Sequence, residues 1–175
     1  DIAKISKMAK EKNIITHVDA VQCIGKIKID LEKLDVDLMS LSAHKFYGPK
    51  GVGALFVRKG IDLNPLLNGG GQELNLRPGT ENISGIAGLG LAITKACANI
   101  ENNIDYVQGL EQNFIQKMVS YKIDYKLHIE KRLPGVLAIT FPGIDGQSLL
   151  MALDLKGIAV SFGSACSSGT TAASR

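Results

Sequence analysis

The first third of the chain alternates between two spacings of apolar side chains. Over residues 2–9 apolar side chains recur every three or four positions, which predicts an amphipathic helix. The apolar, β-branched run at 14–18 predicts a buried strand, and a similar run at 36–42 predicts a second one after a polar stretch with room for a short helix. Strands that alternate with helices are typical of a parallel sheet covered by helices.

A third strand and a long loop come next. Residues 51–58 have the composition of a strand, and too few residues separate them from the second strand for a crossover helix. The two strands are therefore expected to be antiparallel neighbours or to be joined by an excursion of the chain. Residues 65–80 are rich in Gly, Asn and Pro, which predicts an extended loop. Thr80 is expected to cap the helix predicted over 83–100.

The last part of the chain predicts a separate α/β unit. Residues 136–141 read as a strand, 145–156 as a helix and 158–161 as another short strand. We therefore expect two parts, 1–97 and 98–175, with the boundary at the end of the long helix of small residues. The helix predicted at the start of the second part has four apolar side chains on one face: Val107, Leu110, Phe114 and Met118.

Composition and charge exclude several classes of protein. Hydrophobic residues make up 45% of the chain and charged residues 21%, which is typical of a folded globular protein. The 20 basic and 17 acidic residues give a formal net charge of +3 without a basic stripe, so nucleic acid is not an expected partner. The longest apolar stretch, 85–98, is shorter than the roughly 20 residues that span a bilayer, so no membrane segment is expected.

The cysteines and histidines predict neither disulfides nor a metal site. Cys23, Cys97 and Cys166 are odd in number and far apart in sequence, which favours a reducing, cytoplasmic setting. Cys23 and Cys97 are interpreted as packing residues beside apolar neighbours. Neither His17, in a strand, nor His128, in a polar connection, has the neighbours that a metal-ligand spacing needs. The chain begins without Met and is expected to be part of a longer protein.

Two segments place reactive side chains where a strand ends. Asp19, in 17–22, follows a buried strand, and ligands of open α/β sheets bind beyond such strand ends; a helix-capping Asp is the alternative. Lys45, in 40–51, has a His, aromatic residues and two hydroxyls as neighbours. A partly apolar setting lowers the pKa of lysine from ~10.4 and frees the amine to form a Schiff base. Read alone, a lysine at a strand end is more often a solvated charge.

A third segment carries a candidate nucleophile. Cys166 lies in the middle of 161–169, which otherwise consists mainly of small and polar residues. Structural cysteines usually lie in apolar elements, whereas a reactive thiol, with an unassisted pKa of ~8.5, needs exposure and help with ionisation. This setting favours a nucleophilic role for Cys166.

Taken together, four segments closely resemble the cysteine desulfurases of the class V aminotransferase family. They are 16–22, 42–51, 77–82 and 163–166, in that order, and the resemblance covers essentially the whole chain. The resemblance implies an α/β fold: part of a mainly parallel fold-type-I large-domain sheet, followed by the start of a smaller α/β carboxy-terminal domain. It also implies pyridoxal 5'-phosphate as cofactor.

The resemblance assigns roles around the ring of that cofactor. Lys45 would bind the cofactor covalently through its amine. Asp19 would pair with the pyridine nitrogen and keep it protonated, which makes the ring a better electron sink. Gln22 would hydrogen-bond the phenolic oxygen of the ring.

The resemblance also assigns the phosphate site and the subunit arrangement. Ser42 and His44 would hold the phosphate. Thr80 would reach the phosphate of the partner subunit, because the family builds its site across a homodimer. The family's phosphate-binding glycine loop and its ring-stacking His are expected upstream of this chain. Its substrate-carboxylate Arg is expected downstream, and Arg175 lies too close to Cys166 to take that role.

The same resemblance implies the reaction. Cys166 would attack the sulfur of L-cysteine, leave a persulfide on the protein and release L-alanine. The sulfur would pass to an acceptor protein, such as an iron-sulfur scaffold or a tRNA-thiolation protein. Three alternatives stay open: a selenocysteine lyase, an aminotransferase, and a non-catalytic sulfur carrier or scaffold.

Overall fold

The chain forms two compact units. The computed structural model describes residues 1–163. The boundary predicted after residue 97 refers to the two domains of the family and stays a prediction. The first unit comprises Asp1–Leu110 and Leu133–Gly135, and the second comprises Glu111–Arg132 and the described residues from Val136 onward.

The first unit contains a three-stranded sheet in the order β1-β2-β3. β1 and β2 run parallel, and β2 and β3 run antiparallel, as one of the two sequence-based alternatives stated. The strands are β1 (His17–Asp19), β2 (Leu38–Ser42) and β3 (Gly53–Val57). The helices are α1 (Ile2–Lys10), α2 (Leu31–Leu34), α3 (Ile83–Ala98), the first part of α4 (Ile100–Ser120), and two 3-10 helices, Ala43–Phe46 and Glu73–Asn75.

One face of this sheet packs on the core, and the other carries the polar side chains of β1 and β2. Met39, 3% exposed, pairs with Phe56 in the strand register and belongs to the core. Because side chains alternate along a strand, the residues on either side of Met39 point to the other face. The core on the buried face also includes Ala20, Ile24, Val36, Ala43 and Phe46. The opposite face carries His17, Asp19, Ser40 and Ser42, together with Leu38, Leu55 and Val57.

Small residues of α3 let it pack very close to the segments beside the sheet. A Cβ added to Gly88 would lie 2.6 Å from Pro49 Cγ, and one added to Gly25 would lie 2.8 Å from Ala96 Cβ. Only a helix with small side chains can approach this closely. The N-cap of α3 is Asn82, whose Oδ1 accepts from the backbone N–H of Gly85 at 3.0 Å.

Three sequence-based expectations for the first unit are wrong in detail. Asn82 caps α3, not Thr80. The predicted strand at 14–18 begins only at His17, because the N–H of Ile14 bonds Ala9 O at 2.9 Å and closes the end of α1. Ile14 and Ile15 are consequently 54% and 58% exposed. α3 also ends earlier than predicted, at Ala98.

The second unit contains a two-stranded antiparallel sheet and one further helix. β4 (Lys126–His128) pairs with β5 (Ala138–Thr140), and α5 (Gly146–Asp154) is capped by Asp145, whose Oδ2 accepts from Ser148 N at 2.8 Å. His128 therefore lies in a strand and not in a polar connection. The strand predicted at 158–161 is wrong, since no described strand pairs with those residues.

The long helices have largely exposed surfaces. Of the apolar face predicted for α4, Met118 is 3% exposed, whereas Leu110 and Phe114 are 51% and 46% exposed.

In the part of the chain that the structure describes, no single helix is long and apolar enough to span a membrane. α3 and α4 meet that test only as a pair bent by 66°.

A buried carboxylate joins the starts of β1 and β2. Asp37 is 6% exposed, and its Oδ2 accepts from Thr16 N at 2.8 Å and from Thr16 Oγ1 at 2.9 Å. The hydrogen bond from the Thr16 backbone is the main cause that holds the pKa of the Asp37 carboxyl below its usual range, and the bond from the Thr16 hydroxyl acts in the same direction. The charges of Lys10 and Arg58 also lower this pKa. Arg58 also donates from Nε to Val36 O at 2.9 Å. The register of the parallel pair is thus set before the strands begin.

Asp37→Ala in the whole protein is expected to lower the free energy of unfolding by about 2 kcal/mol, because Thr16 loses a charged, buried acceptor. Urea denaturation at pH 7 measures the loss. Asp62→Ala, at an exposed loop position, is the matched control and should change stability little.

The difference between wild type and Asp37→Ala should also depend on pH. A depressed carboxyl pKa stabilises the fold above the unfolded-state value of about 3.9, and this contribution is lost as pH falls through the lower folded-state value. The difference should therefore be full at neutral pH and shrink in acid below about pH 4. A difference in stability that stays constant into acid would contradict a stabilising role for the ionised Asp37 carboxylate.

Candidate active site

The candidate site lies where two neighbouring parallel strands end. Asp19 is the last residue of β1 and Ser42 the last of β2. Asp19 pairs with Ser40 in the strand register, so Asp19, Ser40 and Ser42 share one edge and one face of the sheet. Ligands of open α/β sheets bind beyond such strand ends.

The carboxylate of Asp19 is held by its own turn. Its Oδ1 accepts from the backbone N–H of Val21 at 2.9 Å. The residues after Asp19 form turns and not a helix, so the alternative of a helix-capping aspartate is wrong. The side chain is exposed, and Oδ2 faces no hydrogen-bond donor among residues 1–163. Asp19 Oδ2 can therefore accept a hydrogen bond from a protonated group of a ligand.

Ser42, His44 and Lys45 follow one another at the end of β2. Ser42 Oγ and His44 Nδ1 lie 2.8 Å apart and share a hydrogen bond. Lys45 lies in the 3-10 helix that begins after Ser42 and is half-buried. Tyr47 ends this helix in the left-handed conformation, with φ 65°, and its side chain is fully exposed. The segment thus presents a hydroxyl, an imidazole and an amine within four residues.

Gln22 and Cys23 lie in the turn that follows Asp19. Gln22 Oε1 accepts from Lys26 Nζ at 3.2 Å, which leaves the amide NH2 group of Gln22 to donate to a ligand. Burial raises the pKa of the Cys23 thiol, the charge of Lys26 opposes this rise, and the charge of Asp19 adds to it. Cys23 packs against the core, as the sequence predicts.

Two other cysteines complete the set of thiols. Cys97 is exposed in α3, so its interpretation as a packing residue is wrong. α3 presents Ala96, not Cys97, to the core. Cys166, the predicted nucleophile, lies outside the described residues.

Thr80 lies apart from the strand ends. It is exposed in the loop between β3 and α3, next to Gly79, whose N–H donates to Gln72 Oε1 at 3.1 Å. Gly79 has φ 104°, a conformation that only glycine adopts readily. Among residues 1–163 no hydrogen bond connects Thr80 to Asp19 or Ser42. The expectation that Thr80 serves a partner subunit stays a prediction.

One pair of residues at this site was not predicted from the sequence. His17 Nε2 lies 2.6 Å from Ser40 Oγ, on the same face as Asp19. The signal was available in the alternation His-x-Asp in one strand and Ser-x-Ser in the next, because residues two apart in a strand point to the same side.

The side chains at the strand ends suit one kind of ligand. A carboxylate pairs with a cationic ring nitrogen, a hydroxyl and an imidazole donate to phosphate oxygens, and an amine condenses with an aldehyde. Asp19, the Ser42–His44 pair and Lys45 supply these groups. The described residues contain no cluster of three or more His, Cys, Asp or Glu that could hold a metal ion. The donor set fits pyridoxal phosphate.

A family model and curated relatives match this chain. The model described as class V aminotransferase matches residues 1–174. The cysteine desulfurase IscS of Dictyoglomus turgidum is 47% identical over 171 residues, which cover 97% of this chain and 43% of that protein. The cysteine desulfurase IscS of Methanosarcina thermophila is 46% identical over 170 residues, or 97% of this chain and 42% of that protein. The chain thus spans less than half the length of these relatives.

Solved structures match as well. A NifS-like protein has a TM-score of 0.85 at 40% identity, over 91% of this chain and 44% of that one. A NifS-like protein from Rickettsia africae has a TM-score of 0.86 at 37% identity, over 93% of this chain and 46% of that one. The expected α/β fold is confirmed.

Cys23 is expected to react slowly with iodoacetamide at pH 8, about tenfold slower than in the urea-unfolded chain, because a thiol with a raised pKa carries little thiolate. Quantitative peptide mass spectrometry on the whole protein follows the alkylation, and the unfolded chain is the control. Equal rates in the folded and unfolded protein would show that burial does not protect Cys23.

Proposed function

Because this chain belongs to the class V aminotransferase family, we propose that the whole protein is a pyridoxal-phosphate-dependent cysteine desulfurase. It converts L-cysteine to L-alanine and keeps the sulfur as a persulfide. The observation that carries the proposal is the set of groups at the ends of β1 and β2, namely Asp19, the Ser42–His44 pair and Lys45. This set matches the chemical groups of the cofactor one by one.

The residues after β1 hold the ring of the cofactor. When bound, pyridoxal phosphate withdraws electrons from the substrate amino acid. Asp19 keeps a proton on the pyridine nitrogen through its free carboxylate oxygen, while the Val21 N–H fixes the other oxygen at 2.9 Å. Gln22 donates its amide N–H to the phenolic oxygen of the ring.

The residues after β2 hold the phosphate and the reactive carbon. Ser42 and His44 donate to phosphate oxygens, and the 2.8 Å contact between Ser42 Oγ and His44 Nδ1 supports this shared role. Lys45 would hold the cofactor through its amine and would be placed to move a proton on the substrate. Its half-buried position limits the water around the amine.

Cys166 takes the sulfur. Its thiolate attacks the sulfur atom of the bound substrate, a sulfur-sulfur bond forms, and the bond between sulfur and the substrate Cβ breaks. The carbon fragment keeps the electron pair of the broken bond, takes up a proton and leaves as alanine. The reaction needs no external oxidant, because the oxidation of sulfur balances the reduction of the carbon.

The setting and the partners follow from the same proposal. The protein acts as a homodimer in which Thr80 of each subunit donates to the phosphate of the other subunit's cofactor. It works in the cytoplasm, where its unpaired cysteines stay reduced. The persulfide passes to an acceptor protein that serves iron-sulfur cluster assembly or tRNA thiolation.

Reduction of the whole, cofactor-loaded protein with borohydride should leave a pyridoxyl group on Lys45, which peptide mass spectrometry locates. Cys166→Ser should lose sulfide release from cysteine by at least a hundredfold, since the nucleophile is gone. Cys97→Ser is the matched control and should keep wild-type release. Absence of a Lys45 adduct would contradict the cofactor assignment, and sulfide release by Cys166→Ser would contradict the role of Cys166.

A further inference from the structure

His17 and Ser40 form a cross-strand pair on the face of the sheet that carries the candidate active site. His17 Nε2 and Ser40 Oγ lie 2.6 Å apart and share a hydrogen bond. In the strand register His17 lies opposite Leu38, so its ring reaches further along β2, toward the carboxyl ends of the strands. Ser40 is the register partner of Asp19. The pair therefore joins the two strands at the level of Asp19.

Contacts other than this pair also hold the sheet together. The core packs on the opposite face, around Met39. The hydrogen bonds from Thr16 to Asp37 also fix the register where the strands begin. The His17–Ser40 contact is exposed, and a single hydrogen bond of this kind makes only a modest net contribution to stability. Its place at the end of the strands that bears the site suggests a different role.

Asp19 depends on the strand pairing for its position. Its carboxylate bonds the N–H of Val21, which fixes it to its own turn but not to β2. Among residues 1–163 no side chain of β2 bonds the Asp19 carboxylate. Next to Asp19 the strands are joined by a backbone bond from Ala20 N to Ser40 O, 3.0 Å, and by the side chain of His17. Ser40 therefore makes both of these contacts between β1 and β2 next to Asp19.

We propose that His17 is a positioning residue for the cofactor. Its hydrogen bond to Ser40 fixes the end of β1 against β2, so that Asp19 and the Ser42–Lys45 segment hold the ring and the phosphate at the same time. His17 itself does not touch the cofactor in this account. The inference rests on the proposed function.

The test measures the affinity of the whole apoprotein for pyridoxal phosphate, by titration of the visible absorbance of the bound cofactor. His17→Ala and Ser40→Ala should each weaken binding about five- to tenfold, and the double variant should be no weaker than either single one, because both remove the same bond. His17→Gln should restore most of the affinity, because its amide reaches the Ser40 hydroxyl.

His128→Ala is the matched control. It removes a similar pair in the second unit, where His128 Nε2 lies 2.7 Å from Thr140 Oγ1, and it should leave the affinity unchanged. Urea unfolding should show the same small loss of stability for His17→Ala and His128→Ala.

Two other results would overturn the inference. Affinity of His17→Ala within twofold of wild type, with the Lys45 adduct still formed, would refute the positioning role and leave the proposed function intact. A wild-type protein that binds no pyridoxal phosphate would refute the proposed function and this inference with it.

Discussion

The parallel pairing of β1 with β2 is the constraint on which the site depends. Two short strands carry Asp19 and Ser42 at their ends, and only their register brings the two side chains to the same edge of the sheet. The register is secured at one end by the buried Asp37, which accepts twice from Thr16, and on the buried face by the packing of Met39. A register shift of one residue in β1 or β2 would point the site side chains of that strand toward the core.

The rest of the first unit supports that pairing from outside the sheet. α3 approaches closely because its small residues allow it, with Gly88 against Pro49 and Ala96 against Gly25. Pro49 belongs to the segment that follows Lys45, and Gly25 to the turn that follows Asp19. One helix thus buttresses both segments that supply the site.

Much of this could be predicted from the sequence, and the failures have physical reasons. Asp19 and Lys45 were predicted at strand ends because apolar, β-branched runs precede them, and both lie there. The β-branched side chain of Ile14 favours a strand, but its N–H donates to Ala9 O at the end of α1. Thr80 and Asn82 both have side chains that cap helices, and the backbone path decides between them. Local spacing places His17 and Ser40 each on one face of its strand, but the register that brings them together depends on contacts between distant segments.

The proton on the pyridine nitrogen of the cofactor tests the role of Asp19 most directly. Whole protein loaded with ¹⁵N-labelled pyridoxal phosphate should show, by nitrogen NMR at neutral pH, a protonated pyridine nitrogen. In Asp19→Asn, where the amide cannot hold that proton by charge, the signal should move to the unprotonated position. The same protonated signal in both proteins would contradict the assignment of Asp19, and with it the site at the ends of β1 and β2.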